Sequence, residues 1–277
     1  MFSINYVKPA ERLEYDQRHA GPGATELTDA LDCRTMAVKD IRDSDRHFSL
    51  QMHGFQPVLT PFNFDRFEDD KAIRNELYPQ VVAFMKQELG ADEVIVFDHT
   101  YRSSHRKEKT SHNRAPVKTV HNDYTDKSGQ LRLLEETRYR PEWRQRRYQL
   151  INLWMPLHHV VKGSPLAMVD INSVKAEDFH RLTLIYPDRI GEIAAISHNP
   201  GHKWYYMSDM KPGEALLFKV FDPQLPEGVF GVPHSAVEPI YGAPGRSQPI
   251  EVNADNIPIG TRTSLEVRVI ALFGELQ

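Results

Sequence analysis

Two histidines and one aspartate stand out by type and spacing: His121 and Asp123 flank Asn122, and His234 follows Pro233 deep in the C-terminal half. On a β-strand, residues two apart point the same way, so His121 and Asp123 can present an imidazole and a carboxylate to one metal ion while Asn122 faces elsewhere. A third ligand from a distant strand closes one face of an octahedron. The opposite face stays open, the arrangement by which non-haem Fe(II) sites take up a cosubstrate and O₂. With 13 His and 38 acidic residues, a lone His-x-Asp arises by chance, so its surroundings must carry the argument. Other histidines lack a matching partner: His158 and His159 are adjacent and diverge on a strand, while His99, His180, His198 and His202 have no carboxylate two residues on.

The surroundings of His234 suit a ligand. Pro233 fixes φ and removes a backbone donor, so a strand can begin at His234 from a rigid entry. Downstream, Arg262-Thr263-Ser264 opens an apolar strand. Arg262 and Ser264 share one face of it, where a guanidinium and a hydroxyl can grip one carboxylate, the planar fork of Arg making two charge-assisted hydrogen bonds. A keto acid such as 2-oxoglutarate, chelating iron at one end, needs such an anchor at its distal carboxylate. Glu266 and Arg268 continue on that face. Arg268 is therefore a second candidate for the anchor, or the partner of Glu266 in a structural ion pair.

The elements that must position these residues are mostly strands. Tyr148–Trp154, Leu166–Ile171, Lys203–Met207, Glu214–Phe221 and Ser264–Phe273 read as strands, separated by turns such as Lys211-Pro212-Gly213. Antiparallel strands with metal residues on an early and a late one predict a double-stranded β-helix, or jelly roll, of the cupin kind, mostly β with flanking helices. Before it, Ile73, Leu77, Val81, Phe84, Met85 and Leu89 recur at helical spacing within Arg66–Leu89, Gly90 stops that helix, and Asp92–His99 follows as a buried strand. Residues 1 to about 65 lack a periodic segment and read as an irregular arm. The expected organisation is a single domain: residues 1–115 as an irregular and helical N-terminal region packed on a core formed by residues 116–277. Arg102–Pro116, rich in His, Arg and Lys, reads as a solvated loop that leads into the metal motif and can serve as a lid. Leu131–Tyr148 reads mainly as the solvated surface of a charged helix.

Composition narrows the partner. A net charge of −4 with both signs interspersed leaves no electrostatic footprint for nucleic acid or an anionic membrane, which points to a small-molecule substrate. No apolar stretch approaches the roughly 18 residues that span a bilayer, and the N-terminal residues carry no secretory pattern. A cytoplasmic protein is expected. Cys33, the sole cysteine, has no disulfide partner and reads as a partly buried thiol.

Several strings, in order, now suggest a family: Phe97-Asp98-His99-Thr100, Tyr148 to Leu157, Pro165 to Asp170, His202 to Tyr206, Met210 to Glu214, Pro233-His234-Ser235-Ala236, and Arg262 to Arg268. Together they resemble the iron/2-oxoglutarate oxygenase-like family that includes cephamycin methoxylation proteins and fungal gibberellin desaturases. The resemblance implies a jelly-roll dioxygenase that uses Fe(II), 2-oxoglutarate and O₂ to hydroxylate, desaturate or otherwise oxidise a secondary metabolite or an amino-acid-derived substrate. It implies His121, Asp123 and His234 as iron ligands and Arg262 with Ser264 as the cosubstrate clamp. Two features depart from it: Met155 stands where relatives carry Arg, and Val237–Gly260 forms a long insertion between His234 and Arg262. Tyr124 and Thr125, directly after the carboxylate, are candidates for the substrate pocket, as are Trp154, Tyr205, Tyr206 and Phe230. Two other readings remain open at this stage: a cupin-like hydrolase or isomerase using Zn(II) as a Lewis acid, and a non-catalytic jelly-roll binding protein.

Overall fold

A computed structural model describes residues 1–10, 13–16, 18, 28–103, 113–240 and 262–274. Its centre is a jelly roll of two facing sheets. One sheet holds six strands in the order Phe55–Leu59, Glu214–Phe221, Arg147–Pro156, Thr263–Phe273, Glu93–Ser103 and Asn113–Arg114. The other holds eight strands, with His121–Asn122 and His234–Ala236 side by side in its middle. Alternation along the central strands of the six-stranded sheet sorts their side chains. Leu150, Trp154, Leu216, Phe218, Ile270 and Leu272 face the eight-stranded sheet and form the inner core. Ile151, Leu153, Ala215, Leu217, Val267 and Val269 face the other way.

That second face is covered by a helical rod. It runs through Asp70–Ala72, a π-turn at Ile73–Leu77 and the helix Tyr78–Leu89, and ends where Gly90 takes a left-handed conformation at φ 63°. Pro79 lacks an N–H, and the ladder changes register just before it, the N–H of Tyr78 reaching Ile73 O. Of the predicted stripe, Ile73, Leu77, Val81 and Met85 are buried, joined by Ala72, while Phe84 and Leu89 are partly buried. Met155 packs under this rod at the outer face. A residue there points away from the metal motif, so the departure from the family's Arg leaves the inner face untouched.

The N-terminal segment departs from expectation. Phe2–Val7 is a strand, with Ile4, Tyr6 and Val7 almost fully buried, and Phe2, Ile4 and Tyr6 pack on the outer face of the eight-stranded sheet. The alternation Phe2-Ser3-Ile4-Asn5-Tyr6 carries that signal at period two rather than at helical spacing. Nor does residue 115 mark a seam between an N-terminal layer and the core: Phe55–Leu59 and Glu93–Ser103 belong to the six-stranded sheet, and Leu13–Asp16 and Val38–Asp40 edge the eight-stranded one. Cys33 is exposed on the strand Leu31–Met36 rather than partly buried, its thiol donating to Asn5 Oδ1 at 3.1 Å. The hairpin Phe179–Ile185 with Ile190–Ile196 also went unread in the sequence, because polar and charged residues interrupt both strands.

A buried polar chain anchors the first strand. Trp204 Nε1 donates to Tyr6 Oη at 2.7 Å, Tyr6 Oη lies 3.2 Å from His202 Nδ1, and His202 Nε2 lies 3.0 Å from Asp178 Oδ2. Since the indole can only donate, the Tyr6 hydrogen goes to Nδ1 and His202 holds its own hydrogen on Nε2. Tyr6→Phe leaves a buried indole N–H and an imidazole nitrogen unsatisfied, an expected loss of about 1–3 kcal/mol. Denaturant unfolding followed by tryptophan fluorescence measures it.

Candidate metal centre

His121 and His234 are directly opposed in the antiparallel pairing of their strands, with ring centroids 4.4 Å apart. Each Nδ1 donates to the carbonyl two residues earlier, His121 to Thr119 O at 2.8 Å and His234 to Val232 O at 3.0 Å. A carbonyl only accepts, so both hydrogens are fixed on Nδ1 and both Nε2 atoms carry lone pairs. Asp123 lies just past the end of the short strand. Its Oδ1 is 3.6 Å from His121 Nε2 and 3.8 Å from His234 Nε2, and one ligand atom from each of the three residues falls within 4.8 Å of the others. His234 Nε2 is buried without a hydrogen-bond partner among the described residues. An orphaned acceptor of this kind, facing a carboxylate and a second imidazole, fits a divalent cation.

The electrostatics agree with ligand duty. Burial, then the neighbouring His234, push His121 down to about 3, so it stays neutral and able to donate its lone pair. Burial would raise the Asp123 pKa, but the charge of Arg268 leads the opposing interactions that hold the carboxyl well below its usual range. Asn122 faces away from this cluster, its Nδ2 donating to Tyr124 O at 2.6 Å and to Val220 O at 2.9 Å, which ties the metal loop to the opposite sheet. Gly231 is required beside it. A Cβ there would meet Asn122 Oδ1 and the Val220 backbone at 2.6 Å, closer than any real contact.

A small, partly open cavity lies beside the two histidines, and its wall includes Arg262, Arg102, Glu266 and Leu166. Ser264, Glu266 and Arg268 share the inner face of Thr263–Phe273, and Arg262 Nε donates to Ser264 Oγ at 3.2 Å. Arg262 lies 4.8 Å from the centroid of the Trp154 ring and also donates to Ser164 O at 2.9 Å. Burial first, then the charge of Arg102, push its pKa down, against the pull of Glu266. An arriving anion would offset that cost. Arg102 was missed in the sequence, where it reads as the start of a solvated loop. It is instead the penultimate residue of Glu93–Ser103, directly opposite Ser264. A bulge at Phe97 turns Thr100 and Arg102 inward, since Val269 pairs with Val96 but Arg268 pairs with Asp98. Residues 104–112 of the candidate lid and residues 241–260 of the insertion lie outside the described residues.

Other candidates fall elsewhere. Arg268 does not reach the cavity wall as an anchor: it donates to Asp123, Asp98 and Thr100 at 3.1, 3.0 and 2.9 Å, and also to Glu266. Thr125 is fully buried as the N-cap of the helix Asp126–Glu136 and bonds Glu192, so it offers nothing to a substrate. Tyr206 sits on the outer face of its sheet against Phe2 at 4.9 Å, while Tyr205 takes the inner face. Trp154 is fully buried and serves as the floor under Arg262. Tyr124 and Phe230 do border the inner core near the metal loop.

Comparison with known proteins places this geometry. A family model described as an oxidoreductase/YMDC permease-like domain matches residues 4–272. Among the described residues, no helix is long and apolar enough to cross a membrane. The hydroxylase/desaturase efuI of Hormonema carpetanum is 30% identical over 265 residues, covering 86% of this chain and 88% of the relative. The alpha-ketoglutarate-dependent dioxygenase phiK from a fungal species is 28% identical over 257 residues, 88% of this chain and 85% of that one. The chain belongs to the Fe(II)/2-oxoglutarate-dependent oxygenase family. In fold, the chain resembles the iron and alpha-ketoglutarate-dependent endoperoxidase NvfI, with a TM-score of 0.78 at 23% identity, over 99% of this chain and 98% of that one.

Proposed function

We propose that this member of the oxygenase family oxidises a C–H bond of a small secondary metabolite or amino-acid-derived substrate, by hydroxylation, desaturation or a related oxidation. His121, Asp123 and His234 hold Fe(II), and Arg262 with Ser264 anchors the distal carboxylate of 2-oxoglutarate. The observation that supports this most is one cavity bordered at once by the two imidazoles and by a buried guanidinium bonded to a hydroxyl. When bound, Fe(II) and 2-oxoglutarate supply with O₂ the oxidising power for C–H cleavage and yield succinate and CO₂.

The chain's own part is placement. The two Nδ1 bonds fix the ring planes of the histidines. Trp154 holds the Arg262 fork from below, so that a dicarboxylate is oriented with its keto-acid end toward the imidazoles. Phe218, with its ring centroid 4.7 Å from that of His234, and Leu166 give the site apolar walls that exclude water. Cytoplasmic action on a small molecule belongs to the same proposal, supported by a lone exposed cysteine and a mixed-sign surface.

Incubation of the purified protein with Fe(II), 2-oxoglutarate and air tests the reading. Succinate should form, faster with a true substrate, and should vanish when Fe(II) or O₂ is withheld or when Zn(II) replaces Fe(II). Succinate-free turnover of a substrate with Zn(II) under nitrogen would point instead to Lewis-acid chemistry.

A further inference from the structure

We infer that Asn152 and Arg268 are positioning residues that confine Asp123 to a single metal-facing oxygen, an inference that rests on the reading of Asp123 as a ligand. Asp123 Oδ2 accepts from Asn152 Nδ2 at 2.8 Å and from Arg268 Nε at 3.1 Å. Those two donors occupy both lone pairs of that oxygen. Oδ1 is left facing the imidazoles at 3.6 and 3.8 Å. An unrestrained carboxylate can turn and chelate a cation through both oxygens. Here that turn breaks two hydrogen bonds in a buried site, one of them charge-assisted.

The restraint is built into the sheet. Arg268 pairs with Asn152 on one side and with Asp98 on the other, so three adjacent strands present Asn152, Arg268 and Asp98 in a row. The bulge at Phe97 puts Asp98 in that row. Arg268 is itself held from several directions, by Asp98, Thr100 and Glu266, which only the five N–H groups of a guanidinium can satisfy together with Asp123. Asn152 Oδ1 is buried with no donor among the described residues. The amide orientation is therefore set by Asp123 alone, since a carboxylate accepts and the Nδ2 group must be the one that faces it.

The consequence is a count of positions. Two imidazoles and one carboxylate oxygen take half of an octahedron and leave the other half to exchangeable ligands, enough for a chelating keto acid and O₂ together. A bidentate Asp123 would remove one of those positions. Arg268 thus serves the cosubstrate without touching it.

The metal-free full-length protein, titrated with Mn(II), tests this through the number of waters on the bound ion, read from ¹⁷O-water broadening of the Mn(II) resonance. Wild-type protein should retain three waters. Asn152→Ala, which removes one bond and leaves the charges balanced, should retain two, as should Arg268→Lys, which keeps the charge but loses the fork. A control on the outer face of the sheet, Met155→Leu, should keep three. Three waters in both Asn152→Ala and Arg268→Lys would overturn the inference while leaving the ligand set intact. If Arg268→Lys fails to fold, Asn152→Ala alone decides. Wild-type protein that binds no Mn(II) would overturn the ligand reading itself.

Discussion

His234→Ala is expected to abolish tight Fe(II) binding, with His121→Ala and Asp123→Ala close behind. Loss of an outer partner of a metal ligand typically costs 10–100-fold in affinity, and loss of a ligand itself should exceed about 100-fold. His234 is the extreme case because its Nε2 is buried with nothing else to satisfy it. The same vacancy predicts a signature that separates a ligand from a structural histidine. Removing a hydrogen-bonded core imidazole lowers stability with or without metal. His234→Ala should cost the metal-free protein the packing against Phe218 and the Nδ1 bond to Val232 O, and in addition erase the thermal stability that Fe(II) adds to wild-type protein. Equilibrium metal competition and parallel melts with and without Fe(II) distinguish the two.

Arg262→Ala carries the second large effect. Truncating one partner of a buried, hydrogen-bonded charge pair costs about 2–5 kcal/mol, which here becomes a rise of roughly 30-fold or more in the dissociation constant of 2-oxoglutarate. Fe(II) affinity should hold, because Arg262 reaches Ser264, Ser164 and Trp154 but none of the metal triad. Arg262→Lys should recover only part of the loss: an ammonium restores the charge but not the fork, nor the flat face that rests on the indole. Arg102→Ala should weaken the same ligand too, because Arg102 also lines the cavity and its charge adds to that of Arg262. Isothermal titration with Fe(II) held constant and oxygen excluded gives these values. An Arg262→Ala protein with wild-type affinity for 2-oxoglutarate would remove the clamp from this position.

Which parts of this site the sequence reveals follows from the range of the forces involved. The triad was legible because each ligand carries a local signal: i and i+2 on a strand for His121 and Asp123, and a proline entry for His234. The face shared by Arg262, Ser264, Glu266 and Arg268 was equally plain, since alternation at period two survives in any sheet. The partners across the sheet were not legible. Whether Arg268 meets a cosubstrate or Asp123 depends on its register against Asn152 and Asp98, and register across strands distant in sequence leaves no trace in either strand alone. Arg102 was misread for a related reason: a bulge at Phe97 shifts the phase, and extrapolating the alternation of Val94-Ile95-Val96-Phe97 would turn Arg102 outward. Tyr206 shows the smallest such error, a single residue, which on a strand moves a side chain to the opposite face.

Anaerobic addition of 2-oxoglutarate to the Fe(II)-loaded protein tests the centre most directly, because it requires the triad, an open half of the coordination sphere and the distal anchor together. A weak visible charge-transfer band should grow to saturation at one equivalent, appear only at far higher 2-oxoglutarate in Arg262→Ala, and be absent in His234→Ala. Protein that binds Fe(II) tightly yet gives neither band nor heat with 2-oxoglutarate would contradict it.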